Sequence, residues 1–104
     1  MFTFIESSAF ERVRAVYLDD EEYAELQQFM MQSPEAGKIV RGSGGVRKLR
    51  WKLEGRGKRG GLRVIYFVRY QPHEFWMLAL YANARRENVS AHILKQLKEA
   101  FRHE

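Results

Sequence analysis

The chain has 104 residues, 45% of them hydrophobic and 13% aromatic, which is the size and apolar content of one folded domain and not of a disordered chain. It has no cysteine, so disulfides and thiolate metal sites are excluded, and no apolar run approaches the ~18–20 residues of a membrane span. The net charge of +5 hides a sharper asymmetry: residues 41–63 hold nine Lys/Arg and one acid, Glu54, while the other 81 residues hold nine basic and twelve acidic side chains. Local basicity of this kind points to a polyanionic partner more strongly than overall charge does.

In chain order, Phe2-Thr3-Phe4-Ile5 reads as a short strand. Met1–Glu11 has no basic stretch leading into a long apolar run, so it does not read as a secretion signal and a cytoplasmic protein is expected. Ser8 precedes Glu11 by three positions, a capping-box spacing, and Phe10, Val13 and Tyr17 continue at helical intervals. Asp19 and Glu22 repeat the capping box for a second helix whose buried stripe is Tyr23, Leu26 and Met30. Ser33-Pro34 ends it, because proline cannot continue the ladder. Gly42-Ser43-Gly44-Gly45 forms a turn. With no Lys-Ser/Thr opening a helix after it, this turn is not a phosphate-binding P-loop.

Val46–Leu53 then reads as a strand with Leu49, Trp51 and Leu53 on one side and Lys48, Arg50 and Lys52 on the other. Glu54–Gly61 is a glycine- and cation-rich loop. Leu62–Tyr70, nearly continuous in apolar residues over Val64–Val68, reads as a central strand. Gln71-Pro72-His73 turns the chain into a further apolar strand, Phe75–Tyr81. Ser90 caps a C-terminal helix with Ile93, Leu94, Leu97 and Phe101 on one face and Lys95, Lys98 and Arg102 on the other. The expected fold is α+β in one domain over residues 1–104, ordered β-α-α-β-β-β-α, with an antiparallel sheet covered on one face by helices.

The candidate site is the cationic hairpin: Arg47, Lys48, Arg50 and Lys52 on the strand, Arg56, Lys58 and Arg59 in the loop, and Arg63 opening the next strand. Arginine offers a bidentate fork and lysine a point charge to phosphate oxygens, and glycines let the backbone approach closely. The plainer reading is a solvated edge strand, where lysine discourages aggregation, but that needs one or two lysines and not nine cations. Arg63 lies on the same side as Ile65 and Phe67, so it is either a strand-end side chain reaching to solvent or an aimed group. Trp51, Tyr66, Tyr70, Trp76 and Tyr81 are aromatics that stack on bases or, for most, fill the core. Tyr81, at a strand end, is the one expected to face a site. His73, His92 and His103 have no metal-ligand spacing, and no metal or other cofactor is expected.

These residues resemble a known family. Asp20-Glu21-Glu22-Tyr23, Gly42-Ser43-Gly44-Gly45-Val46-Arg47-Lys48-Leu49-Arg50 and Gly57-Lys58-Arg59-Gly60-Gly61-Leu62-Arg63-Val64-Ile65-Tyr66 make the chain similar, over nearly its whole length, to the RelE/HigB-like toxins of bacterial type II toxin–antitoxin systems, and to the HigB-type branch above all. The resemblance implies a RelE-like fold and a ribosome-dependent endonuclease that cuts mRNA in the ribosomal A site without a metal. In that chemistry a 2′-hydroxyl attacks the adjacent phosphate, so a proton must be accepted, phosphorane charge stabilised and the leaving 5′-oxygen protonated.

Lys48 and Arg50 match the basic pair on the family's strand, and Lys48 is the better proton acceptor, since neighbouring cations favour a neutral amine. Arg63 matches the phosphate-clamping arginine. Lys58 and Arg59 match the backbone-holding cations. Arg85 and Arg86 stand near a further family arginine. The C-terminal segment departs from the pattern: Asn83 stands where many relatives carry lysine, and Val89-Ser90 where some carry an acid–base residue. The implied partners are a cognate antitoxin, of the helix-turn-helix HigA-like kind, the ribosome and mRNA, with operator DNA reached only through the antitoxin and no membrane. Two other readings stand beside it: a non-catalytic RNA- or ribosome-binding relative, and a domain whose basic face meets only an acidic antitoxin.

Overall fold

A computed structural model describes residues 1–53, 61–82 and 89–101. The elements are β1 (Thr3–Glu6), α1 (Ser8–Tyr17), α2 (Asp20–Gln32), β2 (Lys38–Ile39), β3 (Arg47–Trp51), β4 (Leu62–Tyr70), β5 (His73–Tyr81) and α3 (Ala91–Phe101). The α+β class and the order of the helices hold, with the two-residue β2 added. The five strands form one sheet in the order β1-β5-β4-β3-β2, consistent with a RelE-like fold.

The sheet is mixed where an antiparallel one was expected. β3, β4 and β5 form the antiparallel meander, but β1 runs parallel to β5, from Thr3 opposite Glu74 to Glu6 opposite Met77. β5 is apolar toward both faces, so it lies inside the sheet and needs a neighbour on each side.

The helices also cover both faces, not one. Phe10, Leu18, Tyr23, Leu26 and Met30 pack with Leu49, Val64, Tyr66, Phe75 and Met77, so α1 and α2 cover one face. Leu94 and Phe101 of α3 pack with Val46, Ile65, Trp76 and Leu78 on the other. The physical cause is the unbroken apolar run of β4. Alternation turns half of it away from α1 and α2, and that half needs its own cover. Lys98 fastens α3 there: its Nζ donates to the Gly44 carbonyl at 2.7 Å and sits 4.0 Å over the Phe67 ring. Ile93, expected on the buried stripe, is 48% exposed, because the contact face runs through Leu94, Leu97 and Phe101.

Local chemistry sets the ends. Asp19 and Glu22 form the anticipated capping box, each side chain accepting from the other's backbone N–H at 2.8 Å. The cap of α1 is Ser7, one residue before the expected Ser8. Its Oγ accepts from the Phe10 N–H at 3.0 Å and donates to the Leu78 carbonyl at 2.9 Å, while its own N–H donates to the Met77 carbonyl. Parallel pairing with β5 decides between the two serines, since only Ser7 is buried against that strand.

Candidate functional site

Register places the cations. In β3 and β4, Arg50 lies directly opposite Arg63 and Lys48 opposite Ile65; in β2 and β3, Lys38 lies opposite Lys48. Directly opposed residues share a face, and Ile65 belongs to the α3 side. Lys38, Lys48, Arg50 and Arg63 therefore project from the α3 face of the sheet, and with Ala36 and Leu49 they line one cavity of about 330 Å³. Among the described residues that line it, none is acidic.

Like charges directly opposite each other destabilise a sheet. Here two such pairs, Lys38 with Lys48 and Arg50 with Arg63, sit side by side. Chemically, such a cluster can hold an anion. The cavity volume lies near the lower end of small-ligand sites, roughly 300–1,000 Å³, and suits one phosphorylated unit better than a large cofactor.

Arg63 is only 4% exposed, so of the two readings of this side chain the solvent-reaching one fails. Lys48 is half-buried, and Arg50 and Lys38 are exposed at the rim. Tyr81 lies opposite Arg63 and is 8% exposed. Its orientation depends on an irregularity in β5. Ile65 pairs with Ala79 and Tyr66 with Met77, leaving Leu78 as an extra residue. Leu78 and Ala79 both pack on the α3 side, and Leu80 returns to the α1–α2 side. Simple alternation from Phe75 and Met77 would send Tyr81 toward α1 and α2. The bulge reverses it onto the face of Arg63, a use of bulges common beside functional sites.

Other expected residues fall elsewhere. Arg47 faces the opposite way: its Nη1 donates to the Gly37 carbonyl at 2.7 Å and the Glu35 carbonyl at 3.1 Å. Alternation requires this, since Arg47 and Leu49 share the α1–α2 face, and its guanidinium holds a loop instead of joining the cluster. Lys52 lies beyond the end of β3, where strand alternation no longer directs it, and lines a separate cleft with Glu22, Glu25, Trp51 and Leu53. Arg56, Lys58, Arg59, Arg85 and Arg86, with Asn83, lie outside the described residues.

The aromatics divide as the plainer reading had it. Tyr66 is fully buried, Trp76 is 7% exposed and meets Phe101 at 5.2 Å, and Trp51 packs on Phe29. Tyr70 is exposed and its hydroxyl donates to Glu35. Burial pushes the pKa of the Tyr66 phenol up. That hydroxyl donates to the Pro34 carbonyl at 2.9 Å and accepts from the Gly37 N–H at 3.0 Å.

Lys38 was not foreseen. It sits in a two-residue strand, too short for alternation to register, and the only local signal was Gly37 before a Lys-Ile-Val run.

The fold and site together define a small α+β protein with a cationic pocket on a mixed sheet. The family model described as the RelE toxin of the RelE/RelB toxin–antitoxin system matches residues 7–103. The chain belongs to that family, whose toxins are paired with a cognate antitoxin. No helix among the described residues is long and apolar enough to cross a membrane.

Proposed function

We propose that this toxin is a ribosome-dependent mRNA endonuclease of the HigB-type branch. The observation that carries the reading is the pair of like-charge rungs, Lys38–Lys48 and Arg50–Arg63, around one cavity. A scissile phosphate brings negative charge to the place where these four cations converge. Arg63, buried and forked, holds the non-bridging oxygens and stabilises the phosphorane. Lys48, beside it on the same face, accepts the 2′-hydroxyl proton, and Arg50 adds charge stabilisation from the rim. Tyr81 borders the phosphate on the β5 side. Arg85 is assigned to the catalytic set by resemblance alone. Lys58, Arg59, Arg56 and Arg86 are assigned, on the same ground, to the RNA backbone around the cut. The partner of this reading is a helix-turn-helix, HigA-like antitoxin.

Primer extension on a message translated in vitro tests it. The expected result is cleavage inside the reading frame with ribosomes and none on the same RNA alone. Salt-sensitive binding to ribosomes without any cut would replace this reading with the non-catalytic relative. Binding to an antitoxin alone, with no ribosome association, would leave only the protein-binding role.

A further inference from the structure

Lys38 occupies a strand that on length alone has little reason to be ordered. β2 is two residues long, and Ile39, its other member, is 56% exposed. Yet the segment leading into it is pinned by the Tyr66 hydroxyl at Pro34 and Gly37 and by Arg47 at Glu35 and Gly37. A Cβ at Gly37 would lie 2.8 Å from the Tyr66 ring, so the backbone there is fitted closely against that anchor. What this places on the pocket side is Lys38, directly opposite Lys48. Among the described residues no hydrogen bond or ion pair involves the Lys38 side chain.

We propose that Lys38 is an RNA-positioning residue, holding the backbone phosphate next to the one gripped by Arg63. This rests on the endonuclease reading for the nature of the ligand. β2 lies two strand spacings from β4, roughly 9–10 Å across the sheet, and Lys38 is in the Lys48 rung, one rung along from Arg63. Lys38 thus stands across the cavity from Arg63, on the wall past which the adjoining phosphate of a bound strand would run. Lys38 touches no reacting atom, and its contribution is to hold the strand in register over the site. The competing role is that of an edge lysine that blocks strand pairing between molecules. That role requires neither a lysine directly opposite nor a place in the cavity wall.

The test is binding of a short 2′-O-methyl oligoribonucleotide, which has no attacking hydroxyl, by the full chain over ~50–200 mM salt. Lys38→Gln is expected to lower the slope of log affinity against log salt by about 0.7, the value for one lost single-strand phosphate contact. Lys38→Arg should restore it. On translated message, Lys38→Gln should raise KM and leave kcat nearly unchanged. Unchanged affinity and slope, with new self-association of Lys38→Gln by light scattering, would overturn the proposal in favour of edge protection. If the slope falls as stated but the wild-type toxin cuts no message, the endonuclease reading fails and the role of Lys38 in holding RNA stands. If the wild type binds the oligonucleotide with no salt dependence, both fall.

Discussion

Arg63 and Arg47 begin from the same side-chain chemistry and end in different roles, because one residue's shift in parity changes what a guanidinium meets. Arg63 stands on the pocket face, opposite another arginine, in a position 4% exposed. Removing a preorganised charge donor of this kind costs on the order of 10²–10³ in rate. Arg63→Ala should therefore lower cleavage of translated message by about that factor, and Arg63→Lys should recover only part of it, because lysine keeps the charge and loses the fork. Primer extension measures the rate, and circular dichroism checks that the fold survives. Full cleavage by Arg63→Ala would remove that residue from the site. Arg47→Ala should behave in the opposite way. It strips partners from the Gly37 and Glu35 carbonyls, a loss of about 1–3 kcal/mol where such groups are buried. The urea midpoint should fall, while the salt slope of RNA binding should drop by no more than the single Lys38 contact that this loop carries, about 0.7.

At the scale of elements, the site depends on how strands are cut and joined. Ser7 links three of them: it caps α1, follows β1, and its hydroxyl satisfies the carbonyl of the bulged Leu78 in β5. Ser7→Ala loses a cap worth about 1 kcal/mol and leaves that buried carbonyl with one partner fewer. Its destabilisation should exceed that of Asp19→Ala, which loses only a solvent-exposed capping box. Parallel urea titrations of the two variants decide this; equal midpoints would mean that the Leu78 contact contributes nothing. The hairpin has its own constraint at Gly61. Its φ is +67°, and a Cβ there would run into the Trp51 carbonyl. Gly61→Ala should disturb the Trp51–Leu62 end of the β3–β4 ladder and lower both stability and cleavage. Normal values of both would show that the turn relaxes without cost.

Over the whole molecule, the two faces of the sheet divide the labour. One is sealed by α1 and α2. On the other, α3 covers the apolar half, and among the described residues the cationic half lines a cavity. The sealed side also sets how the protein meets alkali. Burial, followed by the hydrogen bond to the Glu6 carboxylate at 2.6 Å, pushes the pKa of the Tyr23 phenol up, and burial pushes up that of Tyr66. The hydrogen bond to the Glu35 carboxylate does the same for Tyr70. Unfolded tyrosines release their protons near pH 10, whereas these native phenols keep theirs to higher pH. Above about pH 10 the native state thus binds more protons than the unfolded one, so stability falls as pH rises, and below that these groups have no effect. Melting temperature should be level up to about pH 9 and fall beyond about pH 10, less steeply in Tyr23→Phe. Parallel curves for the two proteins would exclude Tyr23 as a source.

The sequence by itself determined the α+β class, the helices with their Asp19 and Ser90 caps, the central strand, and the face shared by Lys48 and Arg50. Each of these follows from periodicity or capping within a few residues of chain. Where Arg63 ends up was half legible: its side of the strand could be read, its burial could not. The tertiary structure alone decided the rest, because those features depend on pairing between distant segments. Parallel pairing of β1 with β5 selected Ser7 over Ser8. An extra residue at Leu78 turned Tyr81 toward Arg63. The need to cover the second face of β4 sent α3 across the sheet. Arg47 was spent on a loop carbonyl twelve residues back and another ten back in the chain, and that loop brought Lys38, carried on a strand too short to be seen in the sequence, to the wall of the cavity opposite Lys48.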